Sequence, residues 1–144
     1  MTQKEKQLLL KDLCARLPYG VKGKLRDSNY TAILKDVRYS CFYPLLVRPL
    51  ECPFTNDECS LDVDEFKPYL RQKVSMSDEE MKTYRTLQDT ACSYHYEFGD
   101  VVDDILYFDN DVSLDYLNSI HIDYRGLIPM GLALEAIDGM YETE

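Results

Sequence analysis

The sequence predicts a single α+β domain over residues 1–144, in which a small, bent, mainly antiparallel sheet or open barrel packs with an N-terminal helix and a mid-chain helix. Two segments carry a capping-box pattern followed by apolar residues at helical spacing. Between them lie short segments rich in β-branched and aromatic residues, separated by turn-forming residues. With 144 residues, 45% of them hydrophobic, the chain is long enough to bury one core.

The first helix is predicted over residues 3–16. Thr2 and Glu5 have the spacing of a capping box, and Pro18 and Gly20 end the helical pattern. The predicted buried stripe of this helix consists of Leu10, Leu13, Cys14 and Leu17.

Three strands are predicted next, over residues 22–26, 30–39 and 42–47. Residues 27–29, Asp-Ser-Asn, suit the turn of a hairpin between the first two strands. Pro44 marks the third strand as an edge strand or a bulged strand, because proline has no amide to donate to a neighbour.

The middle of the chain is predicted to form a loop, a strand and the second helix. Pro, Asn, Asp and Ser interrupt any periodicity over residues 51–60, whereas residues 61–66 alternate as in a strand that ends at residues 67–68. Ser77 and Glu80 form a second capping box, which predicts a helix over residues 78–93.

The last third has weaker patterns. Residues 94–98 and 101–108 fit a strand or a short helix, and the strand is preferred. Ser113 is predicted to cap a short helix, and residues 126–134 to form a loop held on the core by apolar side chains. These side chains are Leu127, Ile128, Leu132 and Leu134.

Charge is distributed unevenly along the chain. Residues 1–72 have 12 basic and 10 acidic side chains, net +2, whereas residues 73–144 have 4 basic and 16 acidic ones, net −12. No lysine or arginine stands between Arg85 and Arg125. Such an acidic half repels free nucleic acid and anionic membranes and favours basic protein surfaces or cations.

The cysteines, the termini and the metal-binding patterns indicate a cytoplasmic protein without a cofactor. Five cysteines, dispersed except for Cys52 and Cys59, favour thiols in a reducing compartment, and no signal peptide or long apolar segment is recognised. Cys52 and Cys59 could form half of a zinc site, but their spacing is wide and no second close pair follows, so packing or loop cysteines are the preferred interpretation. Residues 109–115 place oxygen ligands at alternate positions, as in a calcium loop, but Leu114 and Ile120 stand where that loop requires Gly and Glu. A carboxylate-rich turn and helix cap is the preferred interpretation, and no metal site is predicted.

The best candidate binding site is the segment containing His121, Tyr124 and Arg125. It gathers an imidazole, a carboxylate, a phenol and the only lysine or arginine after Arg85. Arg125 is predicted either to offer a fork of donors to a phosphate or carboxylate, or to take part in structural ion pairs beside a packed tyrosine. Tyr94 and Tyr96 alternate as in a strand and add an aromatic row, which serves either the core or a ligand.

Five blocks of the sequence stand out together. They are LCARLPYGVK at residues 13–22, KPYLR at 67–71, SMSDEE at 75–80, DYRGLI at 123–128 and GLALEA at 131–136. In these blocks the chain resembles small uncharacterised proteins encoded by phages, prophages and mobile elements of gut Bacteroidales. The resemblance implies an accessory protein that acts on the host cell, including by counter-defence, and implies no particular activity.

The residues favour a non-enzymatic binding protein, because they include no assembled nucleophile, base and oxyanion donor. It is expected either to sequester a small nucleotide-like ligand or to bind a host protein, with its oligomeric state left open. One alternative is an acidic mimic of nucleic acid that inhibits a basic host protein. Others are a metal-dependent hydrolase using carboxylates of residues 100–115 with His121, and a structural protein of the virion.

Overall fold

The structure, a computed structural model, describes residues 1–26, 30–38, 42–50, 57–88 and 111–141. Its α-helices are α1 (Gln3–Arg16), α2 (Asp78–Leu87) and α3 (Asp111–Ser119). Its strands are β1 (Lys22–Leu25), β2 (Thr31–Val37), β3 (Leu45–Pro49), β4 (Cys59–Leu61), β5 (Phe66–Leu70) and β6 (Leu134–Glu135).

The six described strands form one open sheet in the order β4-β3-β2-β1-β5-β6. Every neighbouring pair is antiparallel except β5 and β6, which run parallel. The prediction of a single α+β domain with a mainly antiparallel sheet, an N-terminal helix and a mid-chain helix is confirmed. The sheet does not close into a barrel.

Helix α1 begins and ends where the sequence predicts, but its buried stripe lies elsewhere. Both halves of the Thr2 and Glu5 capping box form. The buried residues of α1 are Leu9, Asp12, Leu13 and Arg16. The predicted stripe at Leu10, Cys14 and Leu17 is only half-buried. The reason is that Asp12 and Arg16 face inward and form hydrogen bonds with Arg125 and with the Ile122 carbonyl.

The core lies between α1 and one face of the sheet, where strand residues alternate between buried and outward positions. Gly23 in β1 lets the Phe66 ring of β5 lie close to the β1 backbone. A Cβ added at this position would lie 2.4 Å from the Phe66 ring and 2.7 Å from the Lys67 carbonyl oxygen. This glycine is required by packing and not by a turn.

Three strand predictions need correction. β3 begins after Pro44 and lies between β2 and β4, so it is not an edge strand, and the register shift falls in β2 between Leu34 and Asp36. The predicted loop over 51–60 gives way to β4 from Cys59. Instead of one strand over 61–66, a 3-10 turn at Val63–Glu65, capped by Asp62, separates β4 from β5.

Helices α2 and α3 differ from prediction at their ends. The Ser77 and Glu80 capping box forms, but α2 ends at Leu87 with Gln88 as its C-cap. Helix α3 begins at Asp111, so Ser113 is a buried helical residue and not the cap. Three predictions fall outside the described residues: the hairpin turn, residues 51–56 of the loop, and the strands over 94–98 and 101–108.

The C-terminal tail packs onto the core as predicted and also adds a strand. Leu127 and Leu132 are buried in the core cluster, and Ile128 packs against it. Leu134, for which a loop was predicted, belongs to β6 and pairs with Tyr69 of β5. Two residues are too short a run for an alternating pattern to reveal a strand.

Two further findings concern the described residues alone. Neither Cys14 nor Cys59 forms a disulfide, in agreement with the prediction of thiols. No described helix combines the length and apolar character needed to cross a membrane.

Candidate functional site

His121 occupies a strained backbone position directly after α3. Its amide donates to the Asn118 carbonyl at 3.1 Å, and the Ile122 amide donates to the Leu117 carbonyl at 2.9 Å. This is the pattern of a Schellman motif, with Leu117 and Ile122 packed together in the second apolar cluster. The motif requires a left-handed residue, usually glycine, and here His121 has φ 63°. An imidazole thus occupies a position where glycine would have less backbone strain.

The imidazole of His121 stacks on Tyr141. The ring centroids are 3.6 Å apart and the planes meet at 16°. Tyr141 is held by its hydroxyl, which donates to the Tyr69 carbonyl at 2.7 Å and accepts from the Lys22 amide at 2.9 Å. These bonds attach the tail to β1 and β5 beside His121.

His121 is buried and uncharged near neutral pH. Burial first, and then the positive charges of Arg16, Arg71 and Lys22, lower the pKa of His121 to about 4. Its Nδ1 atom is buried without a hydrogen-bond partner among the described residues. Buried polar atoms are normally satisfied, and Nδ1 is one of four buried side-chain atoms that have no partner in the described part of the chain.

A cleft of about 780 Å³ opens beside His121. Its walls come from the turn after α1, the end of β5, the beginning of α2, the end of α3 and residues 135–141 of the tail. We call it the His121 cleft. Five of its lining side chains are used below: Tyr19, Arg71, Glu80, Glu135 and Asp138.

Arg71 and Glu80 form a bidentate ion pair in the wall of the cleft. Nη1 and Nη2 of Arg71 donate to the two carboxylate oxygens of Glu80, each at 2.8 Å. The same guanidinium also donates to the carbonyls of Ile120 and Ser75. The hydrogen bond from Arg71 lowers the pKa of Glu80 to about 2. Both Nη atoms of Arg71 are therefore engaged within the protein.

The cleft has a negative balance of charge. Among its described lining residues, Arg71 is the one cation, whereas Glu80, Glu135 and Asp138 are carboxylates. Glu135 and Asp138 are exposed and form no ion pair with a described residue. Because His121 is neutral, it does not offset them. The exposed carboxylates Glu135 and Asp138 favour a cation on their side of the cleft, whereas the buried imidazole on the other side faces the positive charges of Arg16, Arg71 and Lys22.

Arg125 and Tyr124, both predicted site residues, lie in a separate buried ion-pair network. Nε of Arg125 donates to Oδ1 of Asp12 at 3.0 Å, and its Nη2 donates to the Tyr124 hydroxyl at 3.1 Å. Arg16, fully buried, donates to both oxygens of Asp12 and to the Ile122 carbonyl. Of the two alternatives predicted for Arg125, this arrangement is the structural ion pair beside a packed tyrosine.

The other site predictions have different outcomes. His121 lines the cleft, whereas Tyr124 and Arg125 do not. Tyr94 and Tyr96 lie outside the described residues, as do most carboxylates of the hypothetical hydrolase. Within the residues that the structure describes, no three His, Cys, Asp or Glu side chains converge as metal ligands.

Sequence reasoning missed Asp12, Arg16, Arg71 and Tyr141. A signal for the first two exists, because Leu9, Asp12, Leu13 and Arg16 follow the spacing i, i+3, i+4 and i+7 of one helix face. Arg71 and Tyr141 lie near His121 only in the folded protein, so no local pattern indicates them.

Comparison of the chain with models of protein families, with curated proteins and with solved structures finds no match.

Proposed function

We propose that the protein is a non-enzymatic binding protein whose His121 cleft takes a basic segment of a partner protein, with a lysine or arginine side chain entering the cleft. The charge balance carries this proposal: Glu135 and Asp138 are free of ion pairs with described residues, whereas Arg71 is engaged by Glu80. Complementary charge of this kind speeds association and selects the partner.

The shape and the aromatic lining support the same ligand. A volume of about 780 Å³ lies in the range of ligand sites and accommodates a long side chain with its neighbours. Tyr19 is 38% exposed at the cleft and presents a ring to a cation. Four cations of the described residues lie over tyrosine rings in this way: Arg16 and Arg125 over Tyr124, Lys22 over Tyr141, and Lys73 over Tyr84.

A small nucleotide-like ligand has less support. A phosphate needs unengaged donors, and Arg125 donates to Asp12 and Tyr124 instead of lining the cleft. Its phosphate would also face the carboxylates of Glu135 and Asp138. A basic protein partner meets neither difficulty.

The resemblance of the sequence to phage and mobile-element proteins supplies the setting of this proposal. In that setting the partner is a protein of the host cell, and the protein is an accessory factor, including one with a counter-defence role. A basic partner surface is typical of proteins that bind nucleic acid, so occupation of the cleft would block such a surface.

The test is binding of a fluorescent arginine-rich peptide, measured by anisotropy, with ATP as the competing ligand. We expect the peptide to bind, its affinity to fall as salt rises, and ATP to leave the signal unchanged. The double substitution Glu135→Gln with Asp138→Asn should weaken binding by roughly tenfold or more.

The matched control is Glu79→Gln with Asp115→Asn, which removes the same charge from exposed positions of α2 and α3 outside the cleft. It should change affinity by less than about twofold. Equal losses of affinity in the two double variants would show that the peptide binds the acidic surface in general and not the cleft. Displacement of the peptide by ATP from the wild-type protein would restore the nucleotide hypothesis.

A further inference from the structure

The outer face of the sheet, turned away from α1, is basic. Strand positions that alternate with the buried ones in β1, β2, β3 and β5 define this face. They are Lys22, Lys24, Thr31, Ile33, Lys35, Leu46, Arg48, Lys67 and Tyr69.

The strand register brings these cations together. Lys24 in β1 stands directly opposite Lys67 in β5, and Arg48 in β3 stands opposite Ile33. Cβ atoms of directly opposed residues lie about 5 Å apart, and like charges at that distance repel. The Lys24 and Lys67 pair is therefore a cost that an anion bound between them would remove.

Four of the cations have no ionic partner among the described residues: Lys24, Lys35, Arg48 and Lys67. Lys22 donates to the Met140 carbonyl and belongs to the tail contact. Three carboxylates lie near these cations. Asp36 stands opposite Leu46 beyond the register shift, and its Oδ1 accepts the Val37 amide. Glu5 and Asp64 line a cleft of about 550 Å³ together with Lys24 and Lys67. The face thus has a net positive charge in a protein of net charge −10.

We infer that this outer face binds single-stranded nucleic acid. Ile33, Leu46 and Tyr69 lie among the cations, so the face combines charge for phosphates with apolar and aromatic surface for unstacked bases. From β5 to β3 it spans three strand spacings, about 14 Å, which allows contact with several nucleotides.

The acidic remainder of the protein does not prevent this. At physiological ionic strength the field of a charge falls off over about 8 Å, so a ligand on the outer face senses chiefly the nearby cations. The expectation that the protein makes no direct contact with nucleic acid rested on charge summed along the chain. The sheet separates the charges in space, since none of these four cations lines the His121 cleft.

The test is anisotropy of a labelled oligouridine and of a labelled oligothymidine of equal length, with poly-glutamate as competitor. Four cations predict a slope of about −3 for the logarithm of affinity against the logarithm of salt concentration. Lys24→Ala with Lys67→Ala should weaken binding at least about tenfold and reduce the slope by about one.

The control, Lys4→Ala with Lys11→Ala, removes two exposed lysines of α1 and should change affinity by less than about twofold. Arg48→Ala with Lys35→Ala provides a second, independent pair on the outer face, and circular dichroism verifies the fold of each variant. No binding at low salt, equal losses in the control, or displacement of the oligomer by poly-glutamate at lower concentration than by unlabelled oligomer would overturn the inference.

Discussion

Two buried side chains, Asp12 and His121, join segments that are remote in the sequence. Asp12 joins Arg16 and Arg125, which come from opposite ends of the chain. His121 links the end of α3 to the tail through Tyr141. At such positions removal of one partner costs more than the pair contributes, because the remaining group stays buried without compensation.

Asp12 is predicted to be the most sensitive charged residue for stability. Asp12→Asn would leave Arg16 fully buried and without its carboxylate, so the free energy of unfolding should fall by about 3–5 kcal/mol. Urea denaturation followed by circular dichroism measures this. Asp115→Asn, at an exposed position, should change it by less than about 0.5 kcal/mol. A loss below about 1 kcal/mol for Asp12→Asn would contradict the network.

His121 is predicted to make stability depend on pH between about 6.5 and about 4. In this window the unfolded imidazole takes up a proton while the folded one stays neutral, so the folded state loses stability as pH falls. The loss should be on the order of 3 kcal/mol. His121→Asn, which tolerates the left-handed backbone, should abolish this component in urea titrations at pH 4.5 and 7. Identical pH slopes in both proteins would refute the neutral buried histidine.

At the scale of elements, the sequence predicts what local chemistry determines. Thr2 with Glu5 and Ser77 with Glu80 correctly begin α1 and α2, because a capping box acts within four residues. The antiparallel pairing of β1 with β2 agrees with the two strands predicted on either side of the turn-forming residues 27–29. The stripe of α1, the interior place of β3 and the strand β6 depend on partners remote in sequence, which local patterns do not encode.

The same limit applies to the site. The segment around His121 could be found because unusual side chains are concentrated there, but its neighbours Arg71 and Tyr141 are about 50 and 20 residues away along the chain. Arg125 illustrates the converse, since a fork of donors is recognisable in sequence while its engagement by Asp12 is not. Sequence supplies candidate chemistry, and the fold decides which groups remain available.

Gly23 is predicted to be the least replaceable residue of the sheet. Gly23→Ala would place a Cβ against the Phe66 ring and the Lys67 carbonyl, and the backbone of β5 cannot withdraw without breaking its pairing with β1. We expect a loss of about 1–3 kcal/mol or more in thermal or urea unfolding. Lys24→Ala, next to it on the outer face, should alter stability by less than about 0.5 kcal/mol. An unchanged midpoint for Gly23→Ala would contradict the close contact.

At the scale of the whole molecule, charge is sorted by location. The His121 cleft is negative, the outer face of the sheet is positive, and the buried pair of Asp12 and Arg16 lies at the core side of α1. Summed charge along the chain conceals this arrangement.

The central claim is that the His121 cleft receives a basic protein segment, and amide NMR shifts during titration with the arginine-rich peptide test it most directly. We expect the amide shifts to be concentrated at Tyr19, at Gln72 and in residues 135–141, which line the cleft. Amides along the exposed side of α1 should change little. Shifts confined to residues outside the cleft, or the same cleft shifts produced by ATP, would contradict it.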